Sequence, residues 1–338
     1  MRILVLAALI AGQLLAVEPA KKLKIVTTMQ VLAAISQEIG GSLVELNSLS
    51  GAAEDPHFVK AKPSFKKWVS DADLFIQVGR SLELWVPQVI SASANQKLIS
   101  GERLIIASLN TKALEVPNNL SRTNGDIHPQ GNPHLWLGPS SVLKMADNIK
   151  HALIKADPLH KSSYEKNFAS FKQKLSVEMF GQDLVGVANN LDLLWRLHEG
   201  KKLKQYALEH KKSVGGWLKQ AELIDYSFIS YHSEFSYLAD EFDLKIMGQI
   251  EEKSGVAPGL RYQNELTKKA LANHVKHIVA ASYYTGSSKL IDLVASKING
   301  QRIFVTVDCL PAESYLAMMN RLLKALVDFR AVQPPKVK

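Results

Sequence analysis

Two short stretches hold the residues with the clearest capacity for chemistry. Glu54-Asp55-Pro56-His57-Phe58 is closed by Pro63-Ser64, and Asn132-Pro133-His134-Leu135-Trp136-Leu137 is closed by Pro139-Ser140. In both, an acid or amide precedes Pro-His, an apolar residue follows, and a Pro-Ser pair opens an amphipathic segment. Proline fixes its own φ and pushes the residue before it into extended backbone. Each imidazole is therefore carried on a stiff turn just ahead of a helix start. One such histidine means little. Two in the same local setting point to a pair of ligands converging on one place.

The elements that must position them alternate. Strand-like runs at Leu23–Thr28, Val44–Leu49, Leu74–Val78 and Leu104–Ala107 are separated by helical patterns around Val31–Ile35, over Pro63–Ser70, and in a segment holding Leu82, Leu84, Trp85 and Val89. Gly40-Gly41 ends the first helix, as glycine does at C-caps. Asn110 to Gly131 reads as a loop. From Pro139 the pattern stays helical for a long way, broken at Asp157-Pro158, with a Lys-rich stretch from Leu159 to Phe180 and more helical texture from Leu191 to about His210. Strands return at Tyr226–Ser230, Lys245–Gly248, His277–Ala280 and Arg302–Val307. Helices are expected between them at Phe235–Glu241, Asn264–Asn273 and Lys289–Ile298, with a last helix from Glu313 to about Phe329. Such alternation predicts parallel βαβ units with right-handed crossovers, hence an α/β chain of two lobes joined by a long connecting helix.

Two more residues occupy comparable places. His232 follows the strand ending at Ser230, and Asp308 follows Val307, ahead of a helix expected to begin near Pro311. In open parallel sheets ligands bind beyond the carboxyl ends of strands. A cleft between lobes would thus receive three imidazoles and one carboxylate. That set suits a borderline divalent ion, above all Zn²⁺ in a tetrahedron, whereas Ca²⁺ or Mg²⁺ would call for more carboxylates.

These residues resemble the metal-binding solute-binding proteins of zinc and manganese ABC transporters, the ZnuA-like and TroA-like group. The resemblance covers nearly the whole mature chain. It rests on Asp55-Pro56-His57 with Pro63-Ser64, Ala72-Asp73-Leu74 with Gly79, Leu82-Glu83 and Trp85, and Gly131-Asn132-Pro133-His134. Tyr231-His232 with Phe235 and Tyr237, and Asp308 ahead of Tyr315, extend it into the second half. The resemblance implies one divalent metal ion per chain, held between the lobes as transported cargo by His57, His134, His232 and Asp308. It further implies a monomeric, non-enzymatic protein that delivers the ion to an ABC permease with its ATPase. Manganese-type members of the group place Glu at the position of His232, so zinc is expected over manganese, although Glu234 sits two residues on. Zinc-specific members often have a loop rich in His and acids, where this chain offers only His128 beside Asp126. The stretch between His134 and His232 is longer than usual for the group, with extra helical sequence around Leu191 to His210.

Composition sets the frame. A chain of 338 residues, 46% apolar and 22% charged, is an ordinary globular protein of roughly two domains. The expected organisation is a signal peptide over 1–20, an N-terminal lobe over 21–155, a connecting helical segment with a possible insertion over 156–212, and a C-terminal lobe over 213–338. Arg2, the apolar run Ile3 to Ala16 and the small residue at Ala20 have the pattern of an export signal, so the mature protein is expected in the periplasm or otherwise outside the cytoplasm. No Cys near that run supports a lipid anchor, and the single Cys309 excludes an intramolecular disulfide. The net charge of +9 is spread along the chain. Its densest cluster, Lys201, Lys202, Lys204, Lys211 and Lys212, lacks interleaved aromatics, so a solvated face is expected and nucleic acid is not.

The other histidines, His151, His160, His198, His210, His274 and His277, lie in helical or strand-edge settings without the turn context and are read as ordinary hydrogen-bonding residues. Trp85 and Trp136 are expected in the core near the site, and Glu54 is weighed as a partner that orients an imidazole or as an exposed loop carboxylate. Three alternatives stay open: an exported zinc-dependent hydrolase using the same cluster with Asp308 as base, a manganese or iron carrier, and an adhesion or storage protein without a permease.

Overall fold

In the computed structural model, residues 21–117, 128–188, 190–251 and 255–329 are described. The expected signal segment, Asp126 and the C-terminal tail lie outside them. Two four-stranded sheets, all parallel, organise the chain.

The first lobe runs β1 (Leu23–Thr27), α1 (Gln30–Gly40), β2 (Val44–Ser48), α2 (Pro63–Ser70), β3 (Leu74–Gln77), α3 (Val86–Ser93), α4 (Gln96–Ile99) and β4 (Leu104–Ile106). Long helices α5 (Pro139–Ala156) and α6 (Lys161–Phe180) follow, then short α7 (Gln182–Val185), α8 (Leu191–Glu199), α9 (Leu203–Glu209) and α10 (Gly216–Ala221). The second lobe runs β5 (Ser227–Ser230), α11 (Ser236–Phe242), β6 (Lys245–Gln249), α12 (Leu260–Ala272), β7 (His277–Ala281), α13 (Ser288–Lys297), β8 (Gln301–Val305) and α14 (Tyr315–Phe329). Strand order is β2-β1-β3-β4 in one sheet and β6-β5-β7-β8 in the other. Each lobe thus repeats one topology, and each presents the carboxyl ends of its strands along a single edge.

Helix α6 packs against α1 and α5 on one side and against α10 on the other, while α10 reaches α14. It is the long connector between the lobes. The junction of α6 with α10 needs glycine: Gly216 has φ +59°, and a Cβ there would sit 2.1 Å from the Glu178 carbonyl oxygen.

Apolar packing is continuous across the lobes. One cluster takes Ile25, Leu32 and Ile76 from the first sheet and its helix, Met145 and Phe171 from α5 and α6, and Phe228, Val305 and Leu322 from the second lobe. Smaller clusters fill the outer face of each sheet. An interface of this apolar kind holds lobes together far more firmly than a polar one.

Helix boundaries differ from expectation in several places, among them α12, which begins at Leu260 and not at Asn264. Leu82–Trp85 is not helical: Arg80 and Ser81 take φ of +53° and +61°, and the turn they make delays α3 to Val86. Helix α14 begins at Tyr315 and not near Pro311, because Ala312 has φ +62°. The helical texture after Leu191 is two helices, split where Lys201 takes φ +55°. The Lys cluster there is salt-bridged, with Lys201 to Asp243, Lys204 to Glu222 and Lys212 to Asp183. Among the described residues, no helix is long and apolar enough to cross a membrane.

Candidate metal centre

The two Pro-His turns are built alike. Asp55 Oδ1 accepts from the His57 backbone N–H at 3.0 Å and lies 2.8 Å from His57 Nδ1. Asn132 Oδ1 accepts from the His134 backbone N–H at 2.9 Å and lies 2.9 Å from His134 Nδ1. One side-chain oxygen, two residues before each histidine, therefore closes an Asx-type turn and orients the ring. An oxygen that only accepts requires the proton on Nδ1, which leaves the Nε2 lone pair free. In both residues Nε2 is buried and without a hydrogen-bond partner.

From the second lobe, His232 follows β5 and faces the same point. The ring centroids of His57, His134 and His232 are 5.2–5.7 Å apart, and one potential ligand atom from each lies within 4.8 Å of the other two. All three are buried. Glu251, just past β6, brings Oε2 to 3.1 Å from His232 Nδ1, within ion-pair distance but out of hydrogen-bond alignment. Zn–N bonds of about 2.0–2.1 Å place tetrahedral ligand nitrogens roughly 3.3–3.5 Å apart. The three imidazoles are within a small side-chain adjustment of that spacing.

The electrostatics suit a cation. Burial holds the His134 pKa well below 6.5, helped by neighbouring His57, His232 and His128. An imidazole kept neutral is ready to bind a metal ion. Burial also works to lower His232, but Glu251, Glu234 and Asp55 together raise it above the usual value. Glu234 is wholly buried beside it, accepting from the Ala281 N–H at 3.2 Å, and burial lifts its carboxyl to about 7.

Asp308 is placed differently. It is buried at the end of the strand region after β8, but it is not in the group of converging ligands. Its carboxylate accepts from Val31 N–H at 2.7 Å and Gln30 N–H at 3.3 Å, at the start of α1 in the other lobe, and from Cys309 N–H at 2.8 Å. It thus caps α1 across the interface. Burial raises its pKa to about 6 in spite of these donors.

A polar clasp surrounds the centre. Arg80 Nη1 donates to Tyr237 Oη at 2.6 Å, and Nη2 donates to Thr111 O, Thr111 Oγ1 and Lys112 O. Tyr237 Oη lies 2.9 Å from Asn132 O and accepts from Leu114 N–H. Asn132 Nδ2 donates to Ser233 O, and Trp136 Nε1 to Val307 O. Trp136 is fully buried, with its ring 5.3 Å from that of His134. Trp85 is half-buried and donates to Pro56 O.

Glu54 touches neither imidazole: it accepts from Gly51 N–H and Lys62 Nζ. The orienting role falls to Asp55 and Asn132, and their repeated place two residues before each His was the available signal. Of the histidines read as ordinary, His198 is buried and paired with Glu241 at 2.8 Å, whereas His151 and His210 are exposed.

Comparison with known proteins identifies the family. The profile of the ZnuA family, described as "Zinc-uptake complex component A periplasmic", matches residues 25–177 and 201–329 and skips the region of α7 and α8. Zinc-binding lipoprotein AdcA of Streptococcus pneumoniae is 24% identical over 326 residues, covering 94% of this chain; the chain spans 58% of that relative's length. Manganese ABC transporter substrate-binding lipoprotein PsaA of Streptococcus pneumoniae is 32% identical over 159 residues, 46% of this chain and 48% of its own. A crystal structure of a zinc-bound ZnuA deletion mutant superposes with a TM-score of 0.66 at 20% identity, covering 93% of this chain and 100% of that one. At that identity the structural likeness establishes the two-lobed fold alone. The family profile covers most of the chain and both lobes, and the protein therefore belongs to the ZnuA family.

Proposed function

We propose that this chain is an extracytoplasmic binding protein for a divalent metal ion, with zinc favoured over manganese, and that it delivers the ion to an ABC permease and its ATPase. The ZnuA family consists of binding components of uptake systems and not of enzymes. The observation that carries the reading is the convergence of His57, His134 and His232 from both lobes, with Nε2 of the first two freed by Asp55 and Asn132. Imidazole-rich sites favour Zn²⁺, whereas Mn²⁺ prefers carboxylate oxygen. The names of AdcA and PsaA attach zinc to one relative and manganese to another, so the donor set of this chain bears the metal assignment.

We take the histidine triad as the core of the site, one ion per monomer, exported by the N-terminal segment 1–20. Asp308, expected from the sequence in the fourth place, could join the triad only by giving up its hydrogen bonds to the start of α1. We keep the lobe boundaries near 155 and 213, which assign α6 to α9 to the connecting segment and α10 to the second lobe. The test is competition between Zn²⁺ and Mn²⁺ on the purified chain, with metal analysis. Zinc is expected to displace manganese, and alanine at His57, His134 or His232 is expected to weaken zinc binding by at least about 100-fold. A preference for manganese, or an unchanged affinity in the His232→Ala variant, would refute the assignment.

A further inference from the structure

His128 carries the same structural signature as the two Pro-His ligands, although no Asx-Pro turn surrounds it. Its Nδ1 lies 3.1 Å from the Arg80 carbonyl oxygen. A carbonyl only accepts, so the proton sits on Nδ1 and the lone pair on Nε2. That Nε2 is buried and has no partner. The ring stands 5.4 Å from the ring of His57, a separation like those within the triad. A buried nitrogen left without a partner is unfavourable, and a metal ion would remove that penalty.

The carboxylate expected in the fourth place is engaged elsewhere. Both oxygens of Asp308 receive backbone N–H groups, two of them from α1. Moving Asp308 to an ion would uncap that helix, whereas a swing of His128 strains only its Nδ1 contact to Arg80 O and breaks nothing at Nε2. His128 is outside the group mutually within 4.8 Å, so its entry requires the ring to swing towards His57.

We propose that His128 is the fourth ligand, so that the ion is held by four neutral imidazoles while Asp308 remains the cap of α1. This rests on the reading of the triad as a metal site and deepens it. Four imidazoles leave the full charge of the ion to be balanced from the second layer of side chains. Asp55 and Glu251, beside the Nδ1 atoms of His57 and His232, stand where that is done. An all-nitrogen set further disfavours Mn²⁺ relative to Zn²⁺.

The test is X-ray absorption at the zinc edge, combined with zinc competition, on the full chain and its His128→Ala and Asp308→Asn variants. Four imidazoles are expected in the wild type and in Asp308→Asn, and three in His128→Ala, with affinity in the last falling at least about tenfold. Circular dichroism of each apo variant checks that the fold is kept, and His128→Gln supplies a second substitution of closer size. A wild-type shell of three imidazoles and a carboxylate oxygen, or undiminished affinity without His128, overturns the proposal while leaving the triad intact. Failure of the wild type to hold zinc at all overturns the triad itself.

Discussion

Replacing Tyr237 by Phe tests whether the two lobes are locked by a polar clasp as well as by apolar packing. The ring is buried and phenylalanine fills the same space, so the substitution isolates the hydroxyl. That oxygen accepts from Arg80 Nη1 at 2.6 Å and Leu114 N–H at 3.2 Å, and it lies 2.9 Å from the Asn132 carbonyl to which it donates. A hydrogen bond to a charged group contributes about 1.5–3 kcal/mol and a neutral one about 0.5–1.5 kcal/mol. Arg80 keeps its contacts to Thr111 and Lys112, which offsets part of the loss. The expected destabilisation is roughly 2–4 kcal/mol, a fall in Tm of several degrees at about 2 °C per kcal/mol.

The same change reaches the metal centre at one remove. The Tyr237 hydroxyl anchors the Asn132 carbonyl, and the Asn132 side chain orients the His134 ring. Loss of an orienting partner lowers metal affinity by about 10–100-fold, and a group one step further out should act more weakly, by up to about tenfold. Thermal unfolding of the apo protein and zinc competition measure the two effects separately. A Tyr237→Phe variant with unchanged Tm and unchanged affinity would refute the clasp. Unchanged affinity with a lowered Tm would confine it to stability.

Three further outcomes follow from named contacts. Glu251→Gln removes a group that raises the His232 pKa, so the proton competes less with zinc: affinity should fall at about pH 8, where the carboxylate only strengthens the ligand, and the loss should shrink or reverse towards about pH 6. Gly216→Ala forces a Cβ to within 2.1 Å of the Glu178 carbonyl at φ +59°, and chemical denaturation should show a loss of roughly 2–4 kcal/mol. The His128 pKa is depressed from 6.5 to about 4, so the unfolded chain binds the proton more readily, and the stability tied to this group is full above the unfolded value and declines as pH falls through the window. The whole span amounts to about 3 kcal/mol, and His128→Asn should flatten the acid limb of the apo stability curve by that order.

Much of the site was legible because its parts are local. Asx-Pro-His is written in consecutive residues, and the turn, the ring orientation and the free Nε2 follow from one side-chain oxygen two positions upstream. The eight strands could be found because buried parallel strands are short apolar runs between helices. What could not be read depends on chain crossings. Asp308 caps a helix start 277 positions away, and no pattern around Val307 announces that its carboxylate meets α1. Glu251 reaches His232 because β6 lies beside β5, a fact of sheet order. The Leu82–Trp85 turn was missed because Gly79 signals only the end of β3, whereas Arg80 and Ser81, which are not glycines, carry the left-handed backbone two residues further. Arg80 tolerates that conformation in a setting where its guanidinium gains partners on both lobes.

The distances also limit how the centre can work. Ligand atoms of the triad already lie within 4.8 Å of one another, against roughly 3.3–3.5 Å in a tetrahedral zinc site. Small ring movements close that difference, so binding does not require a large rotation of one lobe against the other. A large rotation would in any case open a continuous apolar cluster and break the Arg80–Tyr237, Trp136–Val307 and Asp308–Val31 contacts together. Selectivity therefore lies in ring orientation and in a donor set of imidazole nitrogens. On the proposed function, release would act through the contacts that join the lobes, because they hold the first-lobe and second-lobe histidines near one another. A partner that parted those contacts would separate His232 from His57 and His134 and leave the ion with an incomplete shell.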